Sequence, residues 1–236
     1  AGSAAAAGSA VPGHLEAELL RLFKHRSPRK SSSPSAGGSD GAGRQKTPLI
    51  GNDDVFEITR LLAPEECKTI IRAAEATGFV LTDQRETRYA ARRRNGRIAI
   101  DSPDVAAKVW ARCNRFFPGN VDGAQPIGLS PNFRFYKYER GDSFGMHVDD
   151  AVDHGNGARS VFTLLVYLNG EPDISGGATV FYKGANPAKA KELLRFPPTE
   201  GSALAHIHGP RCMLHEGAAV DAGVKYLMRT DVVYGR

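Results

Sequence analysis

The segment Phe144-Gly145-Met146-His147-Val148-Asp149 sets an imidazole and a carboxylate two residues apart. In an extended strand such residues point to one face, so His147 and Asp149 can address a single ion. A nitrogen and an oxygen donor suit ferrous iron, but two ligands do not fix a metal. A third must come from a distant strand, and His206, His208 and His215 all qualify by type. Cys67, Cys113 and Cys212 form neither a zinc pair pattern nor a disulfide framework. They point to a reducing compartment, with no thiol chemistry expected.

His215 is set apart by the ten residues after it: Glu216-Gly217-Ala218-Ala219-Val220-Asp221-Ala222-Gly223-Val224-Lys225. This stretch resembles the 2-oxoglutarate and Fe(II)-dependent oxygenases of the prolyl 4-hydroxylase type. In that family a distal histidine precedes a lysine or arginine by ten residues, with a valine and a glycine between, as Val220 and Gly223 stand here. Other landmarks fall in the family's order. Tyr138 lies nine residues before His147, Gly176-Gly177-Ala178-Thr179 resembles the family's Gly-Gly-Glu-Thr turn, and Arg159 precedes the run Val161–Leu168.

The resemblance implies that His147, Asp149 and His215 hold Fe(II) and form the catalytic centre. It implies that Lys225 pairs with the distal carboxylate of 2-oxoglutarate, and that Tyr138 and Thr179 line the same pocket. The implied reaction is a dioxygenase hydroxylation, in which 2-oxoglutarate and O₂ yield succinate and CO₂, with ascorbate as an accessory reductant. The substrate would be a peptidyl side chain, proline included, or a small molecule. Three departures bear on the substrate and none on the iron ligands: Phe144 and Tyr226 replace a tyrosine and a tryptophan, and Ala178 a glutamate. A catalytically silent metal-binding or sensing module is the alternative.

The elements that must position these residues are legible in outline. Pro64-Glu65-Glu66 opens a helix that Gly78 ends, with acids at the positive end of its dipole. A second helix starts at Ser102-Pro103-Asp104 and carries Val105, Val109, Cys113 and Phe117 at four-residue spacing. Between them Tyr89 to Gly96 reads as a basic loop, either solvated or a flap contacting an acidic substrate or partner. After Pro131 the chain reads as strands: Asn132 to Glu139, Val161 to Leu168, Ala178 to Tyr182, Ser202 to Ile207 and Val224 to Tyr234. Helices followed by many strands predict a mainly β fold, a double-stranded β-helix (jelly roll) with flanking helices. His206 and His208 are assigned to a strand or its turn, and Arg229 and Asp231 to a structural ion pair or a substrate contact.

The predicted domain spans 47–236, with a helical part over 47–129 and the jelly-roll core over 130–236. Residues 1–46, rich in Ala, Gly, Ser and Pro, are expected to be a disordered basic tail in which Leu15 to Phe23 forms a short amphipathic helix, transient in a linker or docked to a partner. That tail holds seven Lys or Arg against three acids, so +4 of the formal +5 charge lies there. A nearly neutral remainder argues against a nucleic-acid-binding core. No apolar run approaches membrane-spanning length. An intracellular, cytoplasmic location is expected, with organelle targeting by the tail left open. Iron binding needs neutral imidazoles, so activity is expected to fall below about the ordinary histidine pKa of 6.5.

Overall fold

Among the described residues the period-two pattern is realised as sixteen strands, with three α-helices laid against them. The computed structural model describes residues 12–24, 43–51, 53–87 and 90–236. The first half contains α1 (Pro12–Leu22), β1 (Gln45–Ile50), β2 (Val55–Thr59), α2 (Pro64–Thr77), β3 (Val80–Gln84), β4 (Arg93–Asp101), α3 (Pro103–Cys113) and β5 (Gln125–Leu129). Then follow β6 (Asn132–Tyr138), β7 (Phe144–His147), β8 (Asp153–Gly155), β9 (Ala158–Tyr167), β10 (Ser175–Gly176) and β11 (Thr179–Lys183). The chain ends with β12 (Lys191–Phe196), β13 (Ala203–Ile207), β14 (Leu214–Gly217), β15 (Val220–Ala222) and β16 (Lys225–Gly235).

Fourteen strands form one hydrogen-bonded sheet: eleven follow the path β1-β2-β13-β9-β16-β6-β4-β7-β14-β11-β12, while β3, β5 and β8 pair onto β4, β16 and β9; β10 and β15 pair separately. The pairings are antiparallel, as meander and Greek-key connections allow. β13 and β14 lie far apart along this path, yet the rings of His206 and His215 are 4.5 Å apart. The sheet therefore curls round on itself, and the fold is a jelly roll whose interior the two ends share. Along β9 most side chains are buried on both faces, because the helices cover one side and the interior of the roll takes the other.

Both expected helices form, although α3 ends at Cys113, so Phe117 lies beyond it in extended backbone. Pro64 stands at the start of α2, and the Glu66 carboxylate reaches back to the Ala63 N–H at 2.9 Å. Ser102 caps α3 by accepting from the Val105 N–H, ahead of Pro103. Arg112 of α3 then grips Glu66 of α2 with two hydrogen bonds of 3.0 and 2.9 Å.

Three expectations are corrected. The Leu15 to Phe23 stretch is a formed and docked helix: Leu15, Leu19 and Phe23 are buried in one cluster with Ile70, Ala74, Val105 and Val109. Its i, i+4, i+8 apolar stripe suffices to order it once α2 and α3 present a matching face. The end of the expected tail is also ordered, since Gln45 and Lys46 open β1, while residues 1–11 and 25–42 lie outside the described residues. The segment 47–129, read as helical, also carries strands of the sheet. The basic stretch is a loop only in part: Arg93 onward is strand β4, paired with β3 and β6 (Arg88 and Tyr89 lie outside the described residues). Docking of α1 has a measurable consequence. Leu19→Ala should destabilise the fold by about 2–5 kcal/mol, the usual cost of a large-to-small core change. Urea unfolding would show it as a lowered midpoint, whereas a detached linker helix would leave the midpoint unmoved.

Candidate active site

His147 is the last residue of β7, and His215 faces it across the β7–β14 pairing. Asp149 is two residues beyond the strand rather than on it, so strand alternation alone does not place it. It is held instead by its own contacts. Its backbone N–H donates to Cys212 Sγ at 3.2 Å, and its Oδ2 accepts from Thr163 at 2.7 Å and Arg229 at 2.9 Å. One donor atom each from His147, Asp149 and His215 lie within 4.8 Å of one another, so the three can share one ion.

The hydrogen bonds decide which atoms are free to ligate. His147 Nδ1 lies 2.8 Å from Gly145 O and His215 Nδ1 lies 2.9 Å from Met213 O. A carbonyl only accepts, so each Nδ1 carries the proton and each Nε2 presents a lone pair. Asp149 Oδ1 stands 3.7 Å from His147 Nε2, while Oδ2 is engaged outward. Burial pushes the His147 imidazole down to about 3, and His215 is also lowered. For Asp149, burial opposes the charge, but Arg229 and then His206, His215 and His147 outweigh it and hold the carboxyl well below its usual range. The site thus offers two neutral imidazoles and a carboxylate, a donor set that fits ferrous iron. Burial thus keeps both imidazoles neutral below the pH expected of an ordinary histidine.

A polar chain fixes the carboxylate from behind. The tautomer of His208 is set by its neighbours. Ser160 Oγ accepts from the Val152 N–H at 2.8 Å and gives its own proton to His208 Nδ1 at 3.1 Å. His208 Nε2–H then donates to Thr163 Oγ1 at 2.8 Å, which frees the threonine proton for Asp149. His208 is therefore a positioning residue, and Arg229 is an ion-pair partner of Asp149 and Asp231. Thr163→Val preserves shape and removes the donor. It should weaken ferrous iron binding by roughly 10–100-fold, the usual cost of an outer hydrogen-bond partner, measured by competition with a chromophoric chelator.

Lys225 opens β16 directly opposite Tyr138 on β6 and is 2% exposed. Its ammonium donates to Gly177 O and lies 5.4 and 5.6 Å from the Tyr138 and Tyr167 rings. Burial pushes it down to about 7, and no carboxylate among the described residues pairs with it. Thr179, near the same end of the cavity, shares a 2.6 Å hydrogen bond with the Tyr167 hydroxyl. All six residues singled out in the sequence, His147, Asp149, His215, Lys225, Tyr138 and Thr179, line one cavity. Gly223 explains part of the spacing between His215 and Lys225. Its φ is +76°, and a Cβ there would fall 2.2 Å from Asp173 O, so only glycine turns the chain back into β16.

Of the other lining residues, the sequence had named Phe144, His206 and Arg229 in other connections, whereas Tyr136, Leu165 and Leu227 were not singled out. Arg93 lies over the Phe144 and Tyr136 rings, 4.7 Å from each, and Phe144 stacks on His147 at 3.7 Å. The Tyr136 hydroxyl, His206 Nδ1 and Arg229 Nε are buried without hydrogen-bond partners, and all three residues line the cavity. The lone threonine in the apolar run Val161–Leu168 was the one available signal for the polar chain behind Asp149.

Residues 133–230 match the family model described as the 2OG-Fe(II) oxygenase superfamily. Among curated proteins no match is found. Among solved structures, the viral collagen prolyl hydroxylase of Paramecium Bursaria Chlorella virus-1, in its 2OG complex, superposes with a TM-score of 0.55. It is 19% identical, with 78% of this chain and 98% of that one covered. A Pseudomonas putida prolyl-4-hydroxylase gives 0.52 at 16% identity, covering 78% and 93%. A Trichoplax adhaerens prolyl hydroxylase, in complex with a hypoxia inducible factor oxygen degradation domain peptide, gives 0.54 at 16% identity, covering 77% and 84%. At these identities the likeness is one of fold.

Proposed function

From a chain that carries the 2OG-Fe(II) oxygenase superfamily pattern over residues 133–230 on a prolyl 4-hydroxylase-like fold, we propose that this protein is an Fe(II)- and 2-oxoglutarate-dependent dioxygenase. It would hydroxylate a peptidyl side chain, proline included, or a small molecule. The observation that carries this reading is Lys225, a buried ammonium without a carboxylate partner among the described residues, in the cavity shared by His147, Asp149 and His215. An isolated buried cation is costly, and a dicarboxylic co-substrate supplies the anion it lacks.

When bound, ferrous iron and 2-oxoglutarate supply the oxidising chemistry: O₂ is consumed, succinate and CO₂ are released, and a substrate C–H becomes C–OH. His147 Nε2, Asp149 Oδ1 and His215 Nε2 would hold the iron and leave its other positions to the cavity. Lys225 would take the distal carboxylate of 2-oxoglutarate, with Tyr138 and Thr179 beside it, since a lysine point charge alone orients poorly. Leu165 and Leu227 line the cavity as apolar wall, which raises the strength of each charged contact inside it. Phe144 and Arg93, beside His147, would meet the substrate, and ascorbate would serve as a reductant keeping the iron ferrous.

The test is anaerobic addition of Fe(II) and 2-oxoglutarate to the intact protein, and then of O₂. A visible charge-transfer band and then succinate release are expected. A protein that shows neither would be a silent jelly-roll module, and the enzyme reading would fall.

A further inference from the structure

His206 and Cys212 take no part in the proposed iron triad, yet both stand beside it. His206 is 2% exposed, and its Nδ1 has no hydrogen-bond partner. Its ring lies 4.5 Å from that of His215, and its Nε2 lies 3.8 Å from Asp149 Oδ2. Cys212 is a free thiol just before β14, and its Sγ accepts the Asp149 N–H. One ring nitrogen of His206, one of His215 and Cys212 Sγ all lie within 4.8 Å of one another. A tetrahedral zinc with Zn–S of about 2.3 Å and Zn–N of about 2.0–2.1 Å needs donors about 3.3–3.7 Å apart, so small side-chain rotations would close the set.

We propose that His206, Cys212 and His215 form a second metal site, selective for zinc or a similarly thiophilic divalent cation, which excludes iron from the triad. The exclusion rests on His215. Its Nδ1–H is committed to Met213 O, so only Nε2 can ligate, and one lone pair serves one metal. Selectivity rests on the ligands: thiolate favours zinc over ferrous iron, and zinc already stands above iron in general affinity order. Zinc binding displaces the Cys212 thiol proton to solvent, with no change of oxidation state. The protein would then report the balance of the two metals, active with iron and closed with zinc. The site itself does not depend on the dioxygenase reading; only its inhibitory consequence does.

Cobalt(II) is the spectroscopic probe. Added to the metal-free protein, it should give a strong near-ultraviolet thiolate-to-cobalt band that zinc bleaches. The band should vanish in Cys212→Ser, weaken in His206→Phe and persist in His147→Ala, which lacks an iron ligand but none of the second set. Cys212→Ser should weaken zinc binding by at least roughly tenfold, the low end of what even an outer partner of a ligand contributes. Zinc-loaded wild type should form no Fe(II)–2-oxoglutarate band until a chelator removes the zinc. X-ray absorption of zinc-loaded wild type needs no variant and should show one sulfur at about 2.3 Å. No thiolate band in wild type, a band that survives Cys212→Ser or is lost in His147→Ala, or a zinc shell of nitrogen and oxygen alone would overturn the site. A missing Fe(II)–2-oxoglutarate band in zinc-free protein would count against the enzyme reading alone.

Discussion

His215→Ala should bind no ferrous iron at working concentrations, form no chelate band with 2-oxoglutarate and release no succinate on exposure to O₂. This is the largest effect expected of any single change. The loss should exceed the roughly 10–100-fold that outer partners contribute, because a ligand itself is removed. No other described residue can replace it within the triad: His208 is tied to Ser160 and Thr163, and His206 groups with Cys212 and His215 rather than with His147. The ring is buried against Phe181, 5.5 Å away, so the variant also leaves a void. Far-ultraviolet dichroism and a urea midpoint would separate loss of metal from loss of fold. Retained iron affinity in a folded His215→Ala protein would remove the proposed centre. In the wild type, His147 at about 3 keeps its lone pair through mild acid, so iron binding should persist from pH 7 down to about 5.

Lys225→Met should raise the 2-oxoglutarate concentration needed for half-maximal succinate release by roughly 10- to 150-fold, with far less effect on the maximal rate. The size comes from about 1.5–3 kcal/mol for a charge-assisted contact in an enclosed site, at about 1.4 kcal/mol per decade. Methionine keeps the length and apolar stem, so the change tests the charge rather than the packing. The pH dependence has a definite sign. Burial favours the neutral amine and sets Lys225 at about 7 in the free protein, so the cation that attracts the carboxylate is present below that pH and lost above it. The requirement for 2-oxoglutarate should therefore be flat below pH 7 and climb above it. The bound anion favours the ammonium, so the maximal rate should hold to higher pH. A requirement that ignores both the substitution and the pH would place the co-substrate elsewhere.

Five of the strands after Pro131, both expected helices and six of the cavity residues were legible because each rests on local chemistry. Alternation over Asn132 to Tyr138, the proline and acids at Pro64 to Glu66, and the serine before Pro103 act over a few residues. Gly223 fixes its turn whatever surrounds it, because a Cβ cannot coexist with Asp173 O. The spacing of His215 and Lys225 was readable for the same reason. Docking of α1 was not, since its apolar stripe gains nothing until α2 and α3 supply a partner face. Nor was the extension of the sheet through β4, where a run of arginines hides a strand whose pairing comes from β3 and β6.

By itself the sequence determined the donor types, their order and the turns between them, all of which depend on neighbours in the chain. Only the tertiary structure decided which atom of each donor is free. The tautomers of His147, His208 and His215 are set by carbonyls and hydroxyls on the folded chain, and Asp149 is aimed by Thr163 and Arg229, 14 and 80 residues away. Curling of the sheet also brought His206 and Cys212 beside His215, a proximity no spacing encodes. Hydrogen-bond direction and ligand choice act over about 3 Å of space, and in a jelly roll that distance bears no relation to distance along the chain.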